Sequence, residues 1–338
     1  MTTSHPPQRA ATPIAFIQAM VRAYERRGLD PSRALMRAQI APELLKISNA
    51  RVTALQMEWM SEAAMRELDD EALGWFGRRL PWGSYGMLVR ASLTSPSLGI
   101  ALKRWCRHHN LLTQDIQLGL EQHEGQARLW LSEHQDLGSM REFCTVSVLR
   151  NALGVACWLT DSRIPLAGTE LQFAAPPHVD SYQVLFDSPI RFEAPRSSIR
   201  FDGGYLQLPV RRDEAALQRM LQRALPLTVR PYRRDRLLVE KVRQALAERP
   251  EHSRNAEDLA AGLHLSARTL HRQLKEEGAS LQALKDSVRL ERARQLLLQT
   301  RKPIKQIAAE VGFGNEKSFS RAFKAWTGSP PEFLRAYP

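Results

Sequence analysis

Asn255-Ala-Glu-Asp-Leu-Ala-Ala-Gly-Leu-His-Leu-Ser266 is the stretch whose reading decides the fold. Asn255 is expected to cap a short helix, with Asp258 placed three residues on to answer it. Leu259, Leu263 and Leu265, then Leu270 and Leu274, put apolar residues on the facing sides of two short helices, and the small Ala260 permits their close approach. Ser266 is expected to cap the second helix, Ala267 to about Glu276. That helix turns Arg268, His271, Arg272 and Lys275 away from its leucines, and a basic face of this kind fits a DNA groove.

The device recurs further along the chain. Ile304, Ile307, Ala308, Val311 and Phe313 build another first helix and turn, and Phe319 and Phe323 anchor a second helix starting near Asn315. Its exposed face carries Asn315, Glu316, Lys317, Ser320, Arg321 and Lys324. From Phe313 to Phe319 the spacing is one residue longer than from Leu265 to Leu270, so a looser second turn is expected. Between the units, Leu281, Leu284, Val288, Leu290, Ala293, Leu296 and Leu297 fall at helical spacing, enough for a connecting helix of ~25 Å. Two helices held about one DNA turn apart, near 34 Å, enter adjacent major grooves on one side of a duplex.

Charge supports this reading. The net charge is +12, and from Tyr232 onward there are 21 Lys and Arg against 13 Asp and Glu, so +8 of the +12 lies in the last 107 residues. A polyanionic partner is one reason to hold such a surplus, and a solvated basic surface is the other. Arg268 and Arg272 suit guanine edges, or phosphates. The same choice applies to Asn315, Lys317 and Arg321, with Asn315 also a candidate cap; Ser320 and Lys324 read as backbone anchors. Leu259, Leu263, Leu270, Phe313, Phe319, Phe323 and Trp326 read as core.

Upstream the texture is mixed. Ile14, Ile17, Val21 and Tyr24 predict a helix from about Pro13 to Arg27, and Thr53 with Gln56 makes a capping-box pattern ahead of a second. Ser95-Pro96 precedes a helical run through Leu102 and Trp105. Ile116, Leu118 and Leu120, a turn at His123-Glu124-Gly125-Gln126, and Ala127, Leu129 and Leu131 form a β-hairpin signal. A helix from Met140 to Leu159 follows, then strand-like pieces at 171–173, 190–192 and 199–201. The whole is an α+β N-terminal domain, 1–210, then a linker, 211–231, then an all-α domain, 232–338, with helix-turn-helix units at 255–276 and 304–326 joined by a linker helix. Trp75, Phe76, Trp82 and Tyr85 form an aromatic-rich stretch suited either to a ligand pocket or to the core.

The run Ile307-Ala-Ala-Glu-Val-Gly-Phe313, Phe319-Ser-Arg-Ala-Phe-Lys324, Gly328-Ser-Pro-Pro-Glu-Phe333 and Arg335 resembles, in order and spacing, the DNA-binding domain of the AraC/XylS family of bacterial transcription regulators. The glycine usual in the first turn is His264 here. Thr94-Ser-Pro-Ser-Leu-Gly-Ile-Ala-Leu102 and Phe186-Asp-Ser-Pro-Ile-Arg-Phe192 resemble the effector domain of ornithine-utilisation-type regulators. The resemblance implies activation of transcription by contact with RNA polymerase, with repression as the lesser outcome; the chain is read as an effector-responsive regulator of double-stranded promoter DNA whose N-terminal domain is a candidate both for a small organic effector and for pairing as a homodimer. Amino acids, fatty acids and aromatic acids all stay open as effectors.

Other classes are held beside this one. No P-loop, GxSxG, HExxH or GxGxxG occurs, so neither catalysis nor a cofactor is expected. An alkyl-transfer repair protein needs an activated cysteine, and Cys106, Cys144 and Cys157 lack a Pro-Cys-His context. Cys106 with His108 and His109 falls short of a structural zinc set. An architectural DNA-binding protein without ligand is the remaining alternative. No window reaches ~18 uninterrupted apolar residues and no signal-peptide pattern opens the chain, so a cytoplasmic protein without a membrane partner is expected.

Overall fold

The computed structural model describes residues 11–222, 235–248 and 256–336. The chain divides into two compact units, residues 1–233 and 234–338.

In the first unit, α1 (Ile14–Glu25) and α3 (Ala54–Glu67) pack together, with α2 (Ser32–Arg37) against α3. A two-stranded ribbon, β1 (Thr12–Pro13) with β2 (Arg51–Val52), ties their starts. The capping box at α3 forms as expected: the Gln56 amide donates to Thr53 Oγ1 at 3.2 Å and the Thr53 amide to Gln56 Oε1 at 3.0 Å. Next come α4 (Ser84–Leu93) and α5 (Leu98–Leu112). The cap position of α5 is Ser97, just after Ser95-Pro96.

The hairpin of β3 (Ile116–His123) and β4 (Gln126–Glu133) closes through Glu124 and Gly125 at φ 49° and 77°. Two consecutive positive φ values match strand twist in a tight hairpin. The sheet runs β3-β4-β7-β5-β6, with β5 (Leu166–Glu170), β6 (Ile190–Arg191) and β7 (Ser197–Asp202), and only the β5–β6 pair is parallel. Against it lies α6 (Arg141–Thr160), buried on nearly every side. The stretch Gly138–Thr160 has the length and hydropathy to cross a membrane, but 78% of its apolar 18-residue window is buried inside the unit, as a core helix is.

The structure departs from the sequence expectation in the sheet and at the linker. The strand expected at 171–173 lies just before it, at Leu166–Glu170. Gly168 passes beneath the Arg200 guanidinium at a β-bulge, so the strand lacks apolar alternation, while Leu171 is buried just past its end. The expected linker also begins too early. The Arg211 amide bonds Leu159 O at 2.7 Å, Arg212 reaches Trp158 O and Asp161, and α8 (Glu214–Leu221) packs on α4 with Glu214 paired to Arg90 at 2.7 Å. Residues 211–222 therefore belong to the first unit; 223–231 lie outside the described residues.

The second unit holds α9 (Leu237–Glu248), α10 (Ala256–Gly262), α11 (Ala267–Glu276), α12 (Leu281–Gln299), α13 (Ile304–Glu310), α14 (Glu316–Thr327) and α15 (Pro331–Ala336). It has two cores. Leu259, Leu270 and Leu274 close on Val242 and Leu246 of α9 and on Leu281 and Leu284 of α12. Ile307, Phe319 and Phe323 close on Ala293, Leu296 and Leu297 of α12. The nineteen residues of α12 thus serve the first core as far as Val288 and the second from Leu290 onward, over roughly 28 Å at 1.5 Å per residue.

Candidate nucleic-acid interface and cavity

The two units of the repeat are built alike down to single hydrogen bonds. In the first turn the Leu265 amide returns to Ala260 O at 2.8 Å and His264 to Ala261 O at 3.0 Å; in the second, Phe313 returns to Ala308 O at 2.8 Å and Gly312 to Ala309 O at 3.1 Å. These pairs lie 48 residues apart. Gly314 then adds one residue, so the caps and reading helices lie 49 apart. Ser266 Oγ accepts the Thr269 amide at 3.1 Å, and Asn315 Oδ1 accepts the Ser318 amide at 2.8 Å. The expected Asn255 cap lies outside the described residues.

Beyond the caps, α11 buries Leu270 and Leu274 and α14 buries Phe319 and Phe323. Opposite them, Arg268, His271, Arg272 and Lys275 form one exposed stripe at i, i+3, i+4 and i+7. Lys317, Ser320, Arg321 and Lys324 occupy the same four places on α14; all are exposed except the half-buried Ser320. Glu316 sits exposed in the first turn of α14, where the helix dipole favours a carboxylate. Arg272 bonds Glu276 at 2.9 Å, an exposed pair of small energetic weight that leaves the guanidinium within reach of a ligand. Asn315 stands at the cap rather than within the helix, its carbonyl oxygen already engaged.

Side-chain contacts outside the two cores brace each unit of the repeat. Glu277, just past the end of α11, accepts the amides of Leu238 and Val239 at 3.3 and 2.9 Å and so caps α9; burial pushes its carboxyl up to about 7. In the second unit Lys302 pairs with Glu310 at 2.7 Å, and Arg335 donates to Lys302 O at 2.7 Å. The Arg289 guanidinium, at the middle of α12, lies 5.3 Å over the Phe313 ring and joins the linker helix to the second turn. The helix α9 and the capping role of Glu277 escaped sequence reading, though Val239, Val242 and Leu246 fall at helical spacing.

The first unit holds a partly open cavity of about 330 Å³. Three of the four aromatic candidates line it. Trp75 is buried, Tyr85 sets its hydroxyl 3.4 Å from His109 Nε2, and Trp82 stands at the rim under the Arg66 guanidinium, 4.3 Å away. Phe76 does not line it: its ring packs edge-on against Trp75, 6.0 Å between centroids, and against His109, 6.2 Å between centroids. The sequence reading missed Phe16, Glu58, Glu71, Trp105, Phe143 and Arg150 on the wall. Arg150 left one usable signal, an arginine in the middle of an otherwise apolar helical run.

The three cysteines are buried and form no disulfide with one another. Burial pushes the Cys106 thiol up to about 12 and holds Cys144 well above its usual range, the opposite of an activated thiolate. Burial likewise lowers His109 to about 4.

The family model described as the arabinose-binding domain of AraC transcription regulator, N-terminal, matches residues 28–210, and a helix-turn-helix domain model matches 259–337. The ornithine utilization regulator of Pseudomonas aeruginosa is 29% identical over 96% of this chain and 96% of its own. The HTH-type transcriptional activator RhaS of Klebsiella pneumoniae is 40% identical over 23% of this chain and 29% of its own. The crystal structure of the transcriptional regulator CdpR from Pseudomonas aeruginosa aligns over 99% of this chain and 100% of its own, at 18% identity and a TM-score of 0.34.

Proposed function

Because the chain belongs to the AraC family of transcription regulators, we propose that it reads promoter DNA with α11 and α14 in two successive major grooves and answers to a small effector held in its N-terminal cavity. The observation that carries the paired reading is the shared register of the two stripes. Arg268 and Lys317, His271 and Ser320, Arg272 and Arg321, and Lys275 and Lys324 stand in the same four places on helices capped in the same way. One continuous helix, α12, packs into both cores and fixes their separation. Its length of roughly 28 Å, with the reading helices set at either end, suits the ~34 Å between adjacent grooves.

The cavity supports the effector part. An effector acts only by binding one arrangement of the protein better than another, so its contribution is a shift in how well the reading domain engages DNA. Transcription activation through RNA polymerase belongs to the same reading, as does pairing of two chains through the N-terminal unit and action in the bacterial cytoplasm. No catalytic step is assigned. Burial keeps the Cys106 and Cys144 thiols protonated, which argues against the alkyl-transfer alternative.

Selection of binding sites from a random DNA pool by the full chain tests the paired reading. The expected product is one extended site with two preferred blocks about one helical turn apart. Recovery of a single block, or of no preferred sequence at all, contradicts it, and the second result favours an architectural role.

A further inference from the structure

Six charged side chains stand in the described wall of the N-terminal cavity, and each already has a partner within the protein. The Gly83 and Tyr85 amides donate to Glu71 Oε1 and Oε2 at 2.8 and 2.7 Å. Arg66 pairs with Glu62 at 3.3 Å and Arg90 with Glu214 at 2.7 Å. Glu58 and Arg150 are engaged as well. A charged ligand therefore meets no opposite charge left over for it, and an ion taken out of water without a partner is strongly disfavoured.

Most of the remaining wall is apolar and aromatic. Trp75 and Trp105 contribute ring surface alone, since their indole nitrogens have no accessible surface, and the Tyr85 hydroxyl is occupied by His109. Trp75 stands edge-on to Phe143 at 5.4 Å between centroids, and Tyr85 lies beside Trp105 at 6.0 Å. Ring faces and edges set at these spacings favour an aromatic guest, which adds stacked and edge-on contacts to plain burial.

Two neutral polar groups in the wall differ from the rest. Ser147 and Asn151, one turn apart on α6, are half-buried, and among the described residues neither side chain makes a hydrogen bond. They share a helix face with Phe143 and Val146, so they border the apolar surface directly. A hydroxyl and a carboxamide together offer donors and acceptors without charge.

We propose that this cavity binds an uncharged aromatic molecule of about two fused rings, whose hydroxyl or carbonyl group meets Ser147 and Asn151. This rests on the reading of the first unit as an effector domain. Size agrees: about 330 Å³ is roughly twice the ~150 Å³ of an apolar cavity that takes up benzene.

The probes are naphthalene, β-naphthol, β-naphthoate and β-naphthylmethylamine, which share one ring system and differ in a single group. Each is added to the full chain near neutral pH and followed by thermal shift and calorimetry. β-Naphthol is expected to bind best. Naphthalene, without the polar group, should be weaker by roughly two- to tenfold, and the anion and the cation weaker than β-naphthol by roughly a hundredfold. Replacing Ser147 and Asn151 together by alanine should bring β-naphthol to the affinity of naphthalene and leave naphthalene unchanged, a difference that loosened packing would not produce. Naphthoate or the amine binding as tightly as β-naphthol overturns the proposal, as does failure of all four probes to bind or equal weakening of naphthalene and β-naphthol in the double variant. Affinity for the preferred DNA site, measured with and without β-naphthol, keeps the two readings apart. Binding that leaves this affinity unchanged supports the ligand class and counts against the effector reading, whereas tighter binding of a charged probe that does change it overturns the ligand class alone.

Discussion

His264 and Gly312 occupy the same position in the two turns, both in the left-handed region at φ 57° and 85°, and each donates its amide to the carbonyl three residues back. The glycine is at ease there. The histidine is held by the turn around it, since its neighbour Leu265 closes back on Ala260 just as Phe313 closes on Ala308. The replacement of glycine by histidine therefore leaves the geometry of the first turn intact and places the cost in stability.

That cost is measurable. A left-handed residue with a Cβ costs roughly 1–2 kcal/mol, partly offset by the greater freedom glycine gains on unfolding. His264→Gly is expected to leave stability unchanged or raise it by up to about 1 kcal/mol, while a β-branched His264→Val lowers it by about 1–2 kcal/mol. Thermal unfolding of the three proteins should give the order glycine, histidine, valine; a valine variant as stable as the histidine protein contradicts the strained turn.

The two cores should fail separately. Phe319 is wholly buried in the second core, and its replacement by alanine is expected to cost about 3–5 kcal/mol. Leu270→Ala empties the first core at about 2–5 kcal/mol. Hydrogen exchange is the readout: Phe319→Ala should speed exchange in α13 and α14 and spare α10 and α11, with the reverse for Leu270→Ala. Equal loss of protection in both places would mean that α12 couples them into one core.

Glu277 gives the domain a pH dependence whose sign can be worked out. Its folded pKa, about 7, lies above its ordinary value of 4.5, because burial disfavours the charged form and Asp235 adds repulsion, against which the two α9 amides and Arg236 act. Its contribution to stability is therefore fully present below about pH 4.5 and is lost as pH rises through about 7. Glu277→Gln keeps an acceptor for α9 without the charge. Its melting temperature should match the natural protein's near pH ~5 and exceed it near pH ~8. A variant less stable at the higher pH would show that the ionised carboxylate is the better cap.

Arg268 and Arg272 separate two kinds of contact. If either meets a base edge, its replacement by alanine costs about 1–3 kcal/mol on the preferred site and relaxes choice at one or two base pairs. If it meets phosphate, the loss is uniform across sequences and the salt slope falls by about 1. Competition binding on the preferred site and on its single-base variants, at several salt concentrations, distinguishes the two.

The second unit of the chain was largely legible in the sequence. Caps are local chemistry, so Ser266 and Asn315 announce their helices, and the leucine and phenylalanine spacings fix which face is buried. α12 falls on the expected residues for the same reason. The first unit was less open. Gly168 and Thr169 give β5 no alternation to read, and which of two neighbouring aromatics faces a cavity, Trp75 rather than Phe76, depends on a loop conformation set by distant contacts with α5 and α6. Arg211, Arg212 and Glu214 look like linker residues by composition, and only their partners at Trp158, Asp161 and Arg90 place them in the folded unit.

The central claim is that one chain reads two successive grooves. Footprinting on the DNA flanking its own gene, at two salt concentrations and with the Arg268→Ala and Arg321→Ala variants alongside, tests it most directly. The account predicts a protected stretch covering two major grooves on one face of the duplex, weakened at opposite ends by the two variants. Protection weakened at the same end by both variants, or a diffuse protection indifferent to sequence that disappears with salt, would contradict it.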